Sequence, residues 1–124
     1  MNGNFVLDTN AIVALLNGHT GLAKLLAQAN WVGISVISEL EFLSFSNLTA
    51  NDEAVFQQFK SRIEVLDLSA TDITLMKGII SIRLMHTVKL PDAIIAASTA
   101  QRNATLISND AGFAKIGSLV VQTF

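Results

Sequence analysis

Short apolar runs rich in β-branched and aromatic residues alternate along this chain with longer segments whose apolar residues recur at helical spacing. That alternation restricts the fold more than any other property of the sequence, because it is the signature of an α/β domain with a parallel sheet. Residues 4–7 read as the first strand and 10–17 as a helix with Ile12, Leu15 and Leu16 on one side, stopped by Gly18. A second helix carries Leu22, Leu25, Leu26 and Ala29, and 32–36 read as the second strand. Residues 38–45 are helical in pattern, and Asn51 or Asp52 is placed to cap a helix bearing Val55, Phe56 and Phe59. Residues 64–68 alternate as a third strand. Ser69 and Asp72 then form a capping-box pattern with Asp in place of Glu, before a helix with Ile73, Met76, Ile80 and Leu84 on one stripe. The only proline, Pro91, suits the first turn of the next helix. That helix, 91–102, is apolar nearly all round and is expected to be deeply packed. Residues 105–107 and 119–122 complete five strands.

The length of 124 residues fits one domain, 1–124, large enough to bury roughly two-thirds of the surface of its unfolded chain. With 51% hydrophobic and 15% charged residues the composition excludes disorder and raises the question of a membrane. A spanning helix needs about 18 nearly uninterrupted apolar residues. The apolar stretches here are broken by Asp8, Thr9 and Asn10, and by Gln101, Arg102 and Asn103. The first residues carry no basic segment and no cleavage site, so no signal peptide is expected. No cysteine is present, which excludes disulfides and thiolate metal sites, and a soluble cytoplasmic protein is expected. The formal charge of −2 speaks, taken plainly, against a nucleic-acid binder.

Four acids depart from the usual solvated pattern. Asp8 ends an apolar strand in Phe5-Val6-Leu7-Asp8, and Glu41 lies just past the second strand in Ser38-Glu39-Leu40-Glu41-Phe42-Leu43. Asp92 opens the apolar helix in Leu90-Pro91-Asp92-Ala93, and Asp110 follows the fourth strand in Ile107-Ser108-Asn109-Asp110. In an open parallel sheet the loops after the strands converge on one edge, and ligands bind there at the switch point of strand order. Carboxylates gathered so closely repel one another unless a cation sits among them, and a hard divalent ion such as Mg²⁺ or Mn²⁺ matches oxygen donors. Each acid also has a structural reading: Asp8 as a helix cap, Asp92 as a partner of the helix dipole, Asp110 as a turn or cap residue, Glu41 as a solvated helix residue.

In these blocks the whole chain resembles the PIN-domain family, in particular the VapC-type toxins of toxin–antitoxin pairs. The resemblance rests on Leu7-Asp8-Thr9-Asn10, on Ile34-Ser35-Val36-Ile37-Ser38 with Glu41-Phe42-Leu43, on Leu90-Pro91-Asp92-Ala93-Ile94-Ile95-Ala96-Ala97, and on Ser108-Asn109-Asp110-Ala111-Gly112-Phe113. It implies a three-layer α/β/α fold around a parallel sheet of about five strands, and a Mg²⁺- or Mn²⁺-dependent ribonuclease. Asp8, Glu41, Asp92 and Asp110 become its catalytic acids, with Asp8, Asp92 and Asp110 holding metal. The family pattern selects Glu41 over Glu39. Ser108 stands where the family usually has Thr and keeps the hydroxyl. Thr9, Asn10, Ser108 and Asn109 become supporting or water-positioning groups. The resemblance further implies 5′-phosphate and 3′-hydroxyl products, a small antitoxin partner and a homodimer.

Setting aside the four acids leaves eight basic against six acidic residues, a net +2, so the acidic balance belongs to the site itself. Arg83, Lys89, Arg102 and Lys115 are candidates for RNA phosphate contacts, while His19 and His86 read as surface residues. The stretches around 22–29 and 55–59 are candidates for an antitoxin groove or a dimer surface, or for core. Other readings fit less well. A haloacid-dehalogenase-like phosphotransferase wants an Asp at position 10, which is Asn. A receiver domain would press Asp67 into service without its partners. The alternative of another class is a weakly or non-catalytic PIN-like module that binds RNA or an antitoxin.

Overall fold

The computed structural model describes residues 3–124; the domain drawn over 1–124 begins with two residues outside that range. Five strands, β1 (Asn4–Leu7), β2 (Trp31–Ser35), β3 (Glu64–Leu66), β4 (Thr105–Ile107) and β5 (Val120–Gln122), form one sheet in the order β3-β2-β1-β4-β5. Every neighbouring pair is parallel. The chain builds outward from β1 through β2 to β3, then crosses back to lay β4 on the other side of β1, which puts the switch point between β1 and β4.

Among the described residues seven helices cover the sheet: α1 (Thr9–Leu16), α2 (Thr20–Ala27), α3 (Val36–Leu43), α4 (Ala50–Lys60), α5 (Ile73–Met85), α6 (Leu90–Gln101) and α7 (Ala111–Ala114). The period-two alternation of the strands sorts the core into two layers. Phe5, Leu7, Ile34 and Ile107 pack with Ala11, Ile12, Leu22, Phe42 and Phe56 from α1 to α4. Val6 and Leu106 point the other way, against residues of α5, α6 and Phe113 of α7. The result is the expected α/β/α arrangement. Among the described residues no helix is long and apolar enough to cross a membrane.

Helix α6 is the best-buried helix among the described residues. Residues 93–99 are all buried, which accounts for a sequence apolar on every side and holds Asp92, in the first turn, to a fixed backbone. Gly33 is required by a close approach. The Trp31 indole lies over it, and a Cβ at 33 would meet the ring at 2.4 Å. Gly18, at φ +93°, ends α1 where other residues would be strained.

Two caps differ from the sequence expectation. Neither Asn51 nor Asp52 caps α4. Thr49 does, in a reciprocal box: its hydroxyl accepts from Asp52 N at 3.0 Å, and Asp52 Oδ2 accepts from Thr49 N at 3.0 Å. Ser69 does not box with Asp72. Its hydroxyl accepts from Thr71 N, and Asp72 itself caps α5 by accepting from Leu75 N at 3.0 Å. Most of the stripe on α5 also turns outward, with Met76 alone of its four residues packed against the core. Ile73, Ile80 and Leu84 are 58%, 57% and 82% exposed, whereas Leu75, Ile79 and Ile82 face the core. Helix α5 is apolar on two sides, and periodicity alone does not say which side is covered.

Candidate active site

Leu7 and Ile107 are register partners on adjacent strands, so the chain leaves β1 and β4 side by side. Asp8 N donates to Ile107 O at 3.2 Å, and the buried Ser108 hydroxyl donates to Asp8 Oδ2 at 2.5 Å. The same hydroxyl accepts from Asp110 N at 3.0 Å, so one serine orients both strand-end acids. Asp8 also caps α1, its Oδ1 accepting from Ala11 N at 2.8 Å, and is only 5% exposed. Asp110 caps the short α7 by accepting from Gly112 N at 2.8 Å. Cap and cleft are thus compatible roles: a carboxylate caps with one face and presents the other.

Glu41 arrives differently. It lies on the second turn of α3, six residues past β2, and Thr9 Oγ1 donates to its Oε1 at 2.5 Å. Glu39 is turned away into an ion pair with Lys60 Nζ at 2.6 Å. Asp92 enters from the first turn of α6. Together Asp8, Glu41, Asp92 and Asp110 line one cleft of about 230 Å³, with Thr9 and Asn10 at its polar wall and Phe45, Ile95 and Phe113 at its apolar one. The three apolar wall residues have no chemical signature in the sequence. Only their position beside the acids brings them out.

The electrostatics follow from this crowding. Burial pushes the Asp8 carboxyl above its ordinary value, against the lowering effect of the bonds from Ser108 and Ala11, and the charges of Asp110 and Glu41 push it further. Asp92 is raised by burial and then by Asp110 and Glu41, with Lys89 acting the other way and Asp8 adding a smaller upward push. The cleft therefore concentrates negative charge on hard oxygen donors, with Lys89 offsetting part of it at Asp92. Among the described residues, no three acidic or imidazole side chains converge closely enough to surround one ion directly.

Several other side chains lie away from this cleft. Asn109 does not line it: its amide donates to Phe124 O at 2.9 Å and accepts from Phe124 N at 2.7 Å, pinning the end of the chain. Arg102 sits at the opposite edge of the sheet, where β2 and β3 begin. It pairs with Glu64 at 2.8 Å and lies over the Trp31 ring at 4.6 Å, so it is no phosphate contact for this cleft. Arg83 donates to Val88 O at 2.7 Å, and neither it nor Lys115 lines the cleft. His19 is half-buried rather than a free surface residue. Its Nδ1 caps α2 by accepting from Leu22 N, and its ring meets Phe124 edge-on at 5.6 Å. His86 is half-buried at the end of α5, outside the cleft, and Asp67 is exposed beyond β3. Ser38 Oγ is buried with no partner among the described residues.

A family model described as the PIN domain matches residues 5–119. The chain belongs to the PIN-domain family. Among solved structures, this PIN domain is similar to a chain of VapBC2 from Rickettsia felis bound to a promoter DNA fragment. The match has 26% identity, a TM-score of 0.78 and 98% of each chain covered. It is also similar to a chain of a toxin–antitoxin complex from Klebsiella pneumoniae, at 25% identity and TM-score 0.76, covering 93% of this chain and 94% of that one. DNA-bound VapBC from Salmonella typhimurium shares the fold at 22% identity and TM-score 0.75, covering 99% and 98%. No curated protein sequence matches this PIN domain.

Proposed function

We propose that this PIN domain is a divalent-metal-dependent endoribonuclease and the toxin of a VapBC-type pair. The observation that carries the reading is the gathering of Asp8, Glu41, Asp92 and Asp110 in one cleft at the switch point, with no cation lining it. Mg²⁺, or Mn²⁺, fits these donors. Mg²⁺ commonly keeps several waters and takes only one or two carboxylates directly, so acids too far apart to surround it still suit it. When bound, the ion supplies a lowered pKa for attacking water and offsets charge developing on the phosphodiester.

The protein's own groups do the rest. Asp8 and Asp92 hold the ion directly or through water, and Asp110 completes the set. Thr9 fixes Oε1 of Glu41, leaving the other oxygen to orient and deprotonate the attacking water. Ser108 keeps Asp8 in place and Asn10 stands at the cleft wall toward substrate. Lys89, the residue before α6 and three from Asp92, is the candidate for an RNA phosphate contact. The products carry 5′-phosphate and 3′-hydroxyl ends.

Such an activity in the cytoplasm needs restraint, and the surface supports a small antitoxin as partner. Of the two stretches proposed from sequence, Leu22 and Phe56 are core, but Ala23, Leu26, Ala27, Ala29 and Phe59 line a groove of about 730 Å³. The outward-facing Ile73, Ile80 and Leu84 support a homodimer through α5, since large apolar side chains grouped on one exposed helix are typical of protein contacts. A weakly catalytic module that binds RNA or antitoxin is favoured by one feature, the absence of a tight three-carboxylate set among the described residues.

The test uses purified chain freed of partner, with single-stranded and structured RNA, in Mg²⁺, Mn²⁺ and EDTA. Cleavage is expected with either ion, lost in EDTA and lost in Asp8→Asn and Asp92→Asn. Calorimetric titration with Mn²⁺ is expected to show binding that Asp8→Asn abolishes. Cleavage in EDTA, or full activity in both variants, refutes the mechanism. Metal binding and cleavage both absent from the wild type would leave the binding module as the function.

A further inference from the structure

A second hollow shares one wall residue with the carboxylate cleft. Between α1, α4 and the turn joining α3 to α4 lies a groove of about 650 Å³, and Phe45 lines both it and the cleft. This aromatic ring is 43% exposed, yet it is not loose. Phe45 N donates to Phe42 O, and Phe45 O accepts from Leu48 N, so the backbone is tied on both sides. One edge of the ring rests on Phe42 at 5.6 Å, and Phe42 in turn stacks on the fully buried Phe56 at 4.8 Å. Phe45 is thus the outermost ring of an aromatic series anchored in the core, with its position set before any ligand arrives.

The rest of the groove is equally specific in character. Among the described residues no lysine or arginine lines it, so it is not built to hold phosphate. Its polar rim holds three amides, Asn17, Asn47 and Asn51, and the Ser46 hydroxyl, which donates to Asn47 Oδ1; the amides are able to hydrogen-bond the edge of a base. Its one carboxylate, Asp52, already accepts from Thr49 N in the cap of α4. An apolar floor, an exposed aromatic face and an amide rim beside a phosphodiester-cutting cleft match how unpaired bases are taken from single-stranded RNA.

We propose that Phe45 is the stacking platform for the nucleobase next to the scissile phosphate, and that the α1–α4 groove receives that base with its amides along the base edge. This inference rests on the ribonuclease reading above. The groove then contributes to which nucleotide is accepted beside the cut, while the carboxylates act on the phosphate itself.

The experiment maps the cut made by wild-type protein, then places 2-aminopurine on either side of it in short single-stranded RNA. Binding and emission are read in a Glu41→Gln background that stops turnover, with Phe45→Ala, Phe45→Leu and Phe45→Trp. Phe45→Leu keeps apolar contact with Phe42 and so separates loss of stacking from loss of folding, which thermal unfolding checks. Quenched emission at one flanking base is expected, with affinity reduced roughly five- to hundredfold in the Ala and Leu variants and retained in Trp. Phe45→Leu with unchanged affinity and quenching overturns the proposal while cleavage by the wild type leaves the ribonuclease reading intact. A loss confined to antitoxin binding overturns it in favour of a peptide site. A wild type that cuts no RNA overturns both.

Discussion

Replacing Ser108 with alanine removes a single hydroxyl from a site with no solvent access, and with it the side-chain hydrogen bond that ties the end of β4 to Asp8 and the local bond from Asp110 N. The bond to an ionised Asp8 is worth about 1.5–3 kcal/mol and the bond from Asp110 N about 1 kcal/mol, so the loss at neutral pH is about 2–4 kcal/mol. For a domain of this size each kcal/mol moves Tm by about 3–5 °C, which puts the fall at roughly 6–20 °C. The loss depends on pH. Burial holds the folded-state pKa of Asp8 above its ordinary value, and the Ser108 bond opposes that shift, so Ser108→Ala raises the pKa further. A raised carboxylate pKa means that folding favours the protonated form. Its stability contribution is intact below the unfolded pKa of about 4 and is lost as pH climbs through the folded value. The wild type loses stability over that climb, and Ser108→Ala loses more. The gap between them is expected to be smallest below about pH 4 and widest at neutrality. Urea unfolding between pH 3.5 and 8, with the double variant Asp8→Asn/Ser108→Ala, checks this. A gap below about 1 kcal/mol at pH 7, or one independent of pH, would refute the argument.

Three further outcomes follow from the structure. Ser38→Ala removes a buried hydroxyl that has no partner among the described residues, so stability is expected to hold or rise by about 1 kcal/mol in denaturant unfolding; a drop of more than that would mean Ser38 has a partner in solution. Leu84→Glu, at a side chain 82% exposed, is expected to convert a dimer to a folded monomer in light scattering with little change in monomer unfolding. A persistent dimer would place the interface elsewhere. Arg102→Ala breaks an exposed pair and is expected to cost about 0–1 kcal/mol and to leave RNA cleavage unchanged; a clear loss of RNA affinity would show that RNA reaches the far edge of the sheet.

Much of the candidate site was legible because its acids sit where local pattern changes. Asp8 and Asp110 follow strands whose alternation is plain, and Asp92 opens a helix announced by proline. What the pattern did not show was how one side chain serves two ends. Asp8 and Asp110 are caps as well as cleft acids, so the choice between the two readings was never a real one. Glu41 gave the weakest local signal, because its place depends on α3 running beside α1 to reach Thr9. Asn109 and Arg102 had the right chemistry at suggestive positions. Their partners, Phe124 and Glu64, lie 15 and 38 residues away in the chain and are visible only once folded.

By itself the sequence determined the α/β class, β1 and β4 to the residue, the buried character of α6 and the acids at the strand ends. These depend on periods of 2.0 and 3.6 residues, which a few neighbours suffice to define. Only the tertiary structure decided which apolar side of α5 is covered, that Glu39 pairs with Lys60, and that Asp8 is held by a serine 100 residues away. Those outcomes depend on strand order, which sets β4 against β1 and leaves β3 and β5 at the edges, and strand order is a property of the whole sheet.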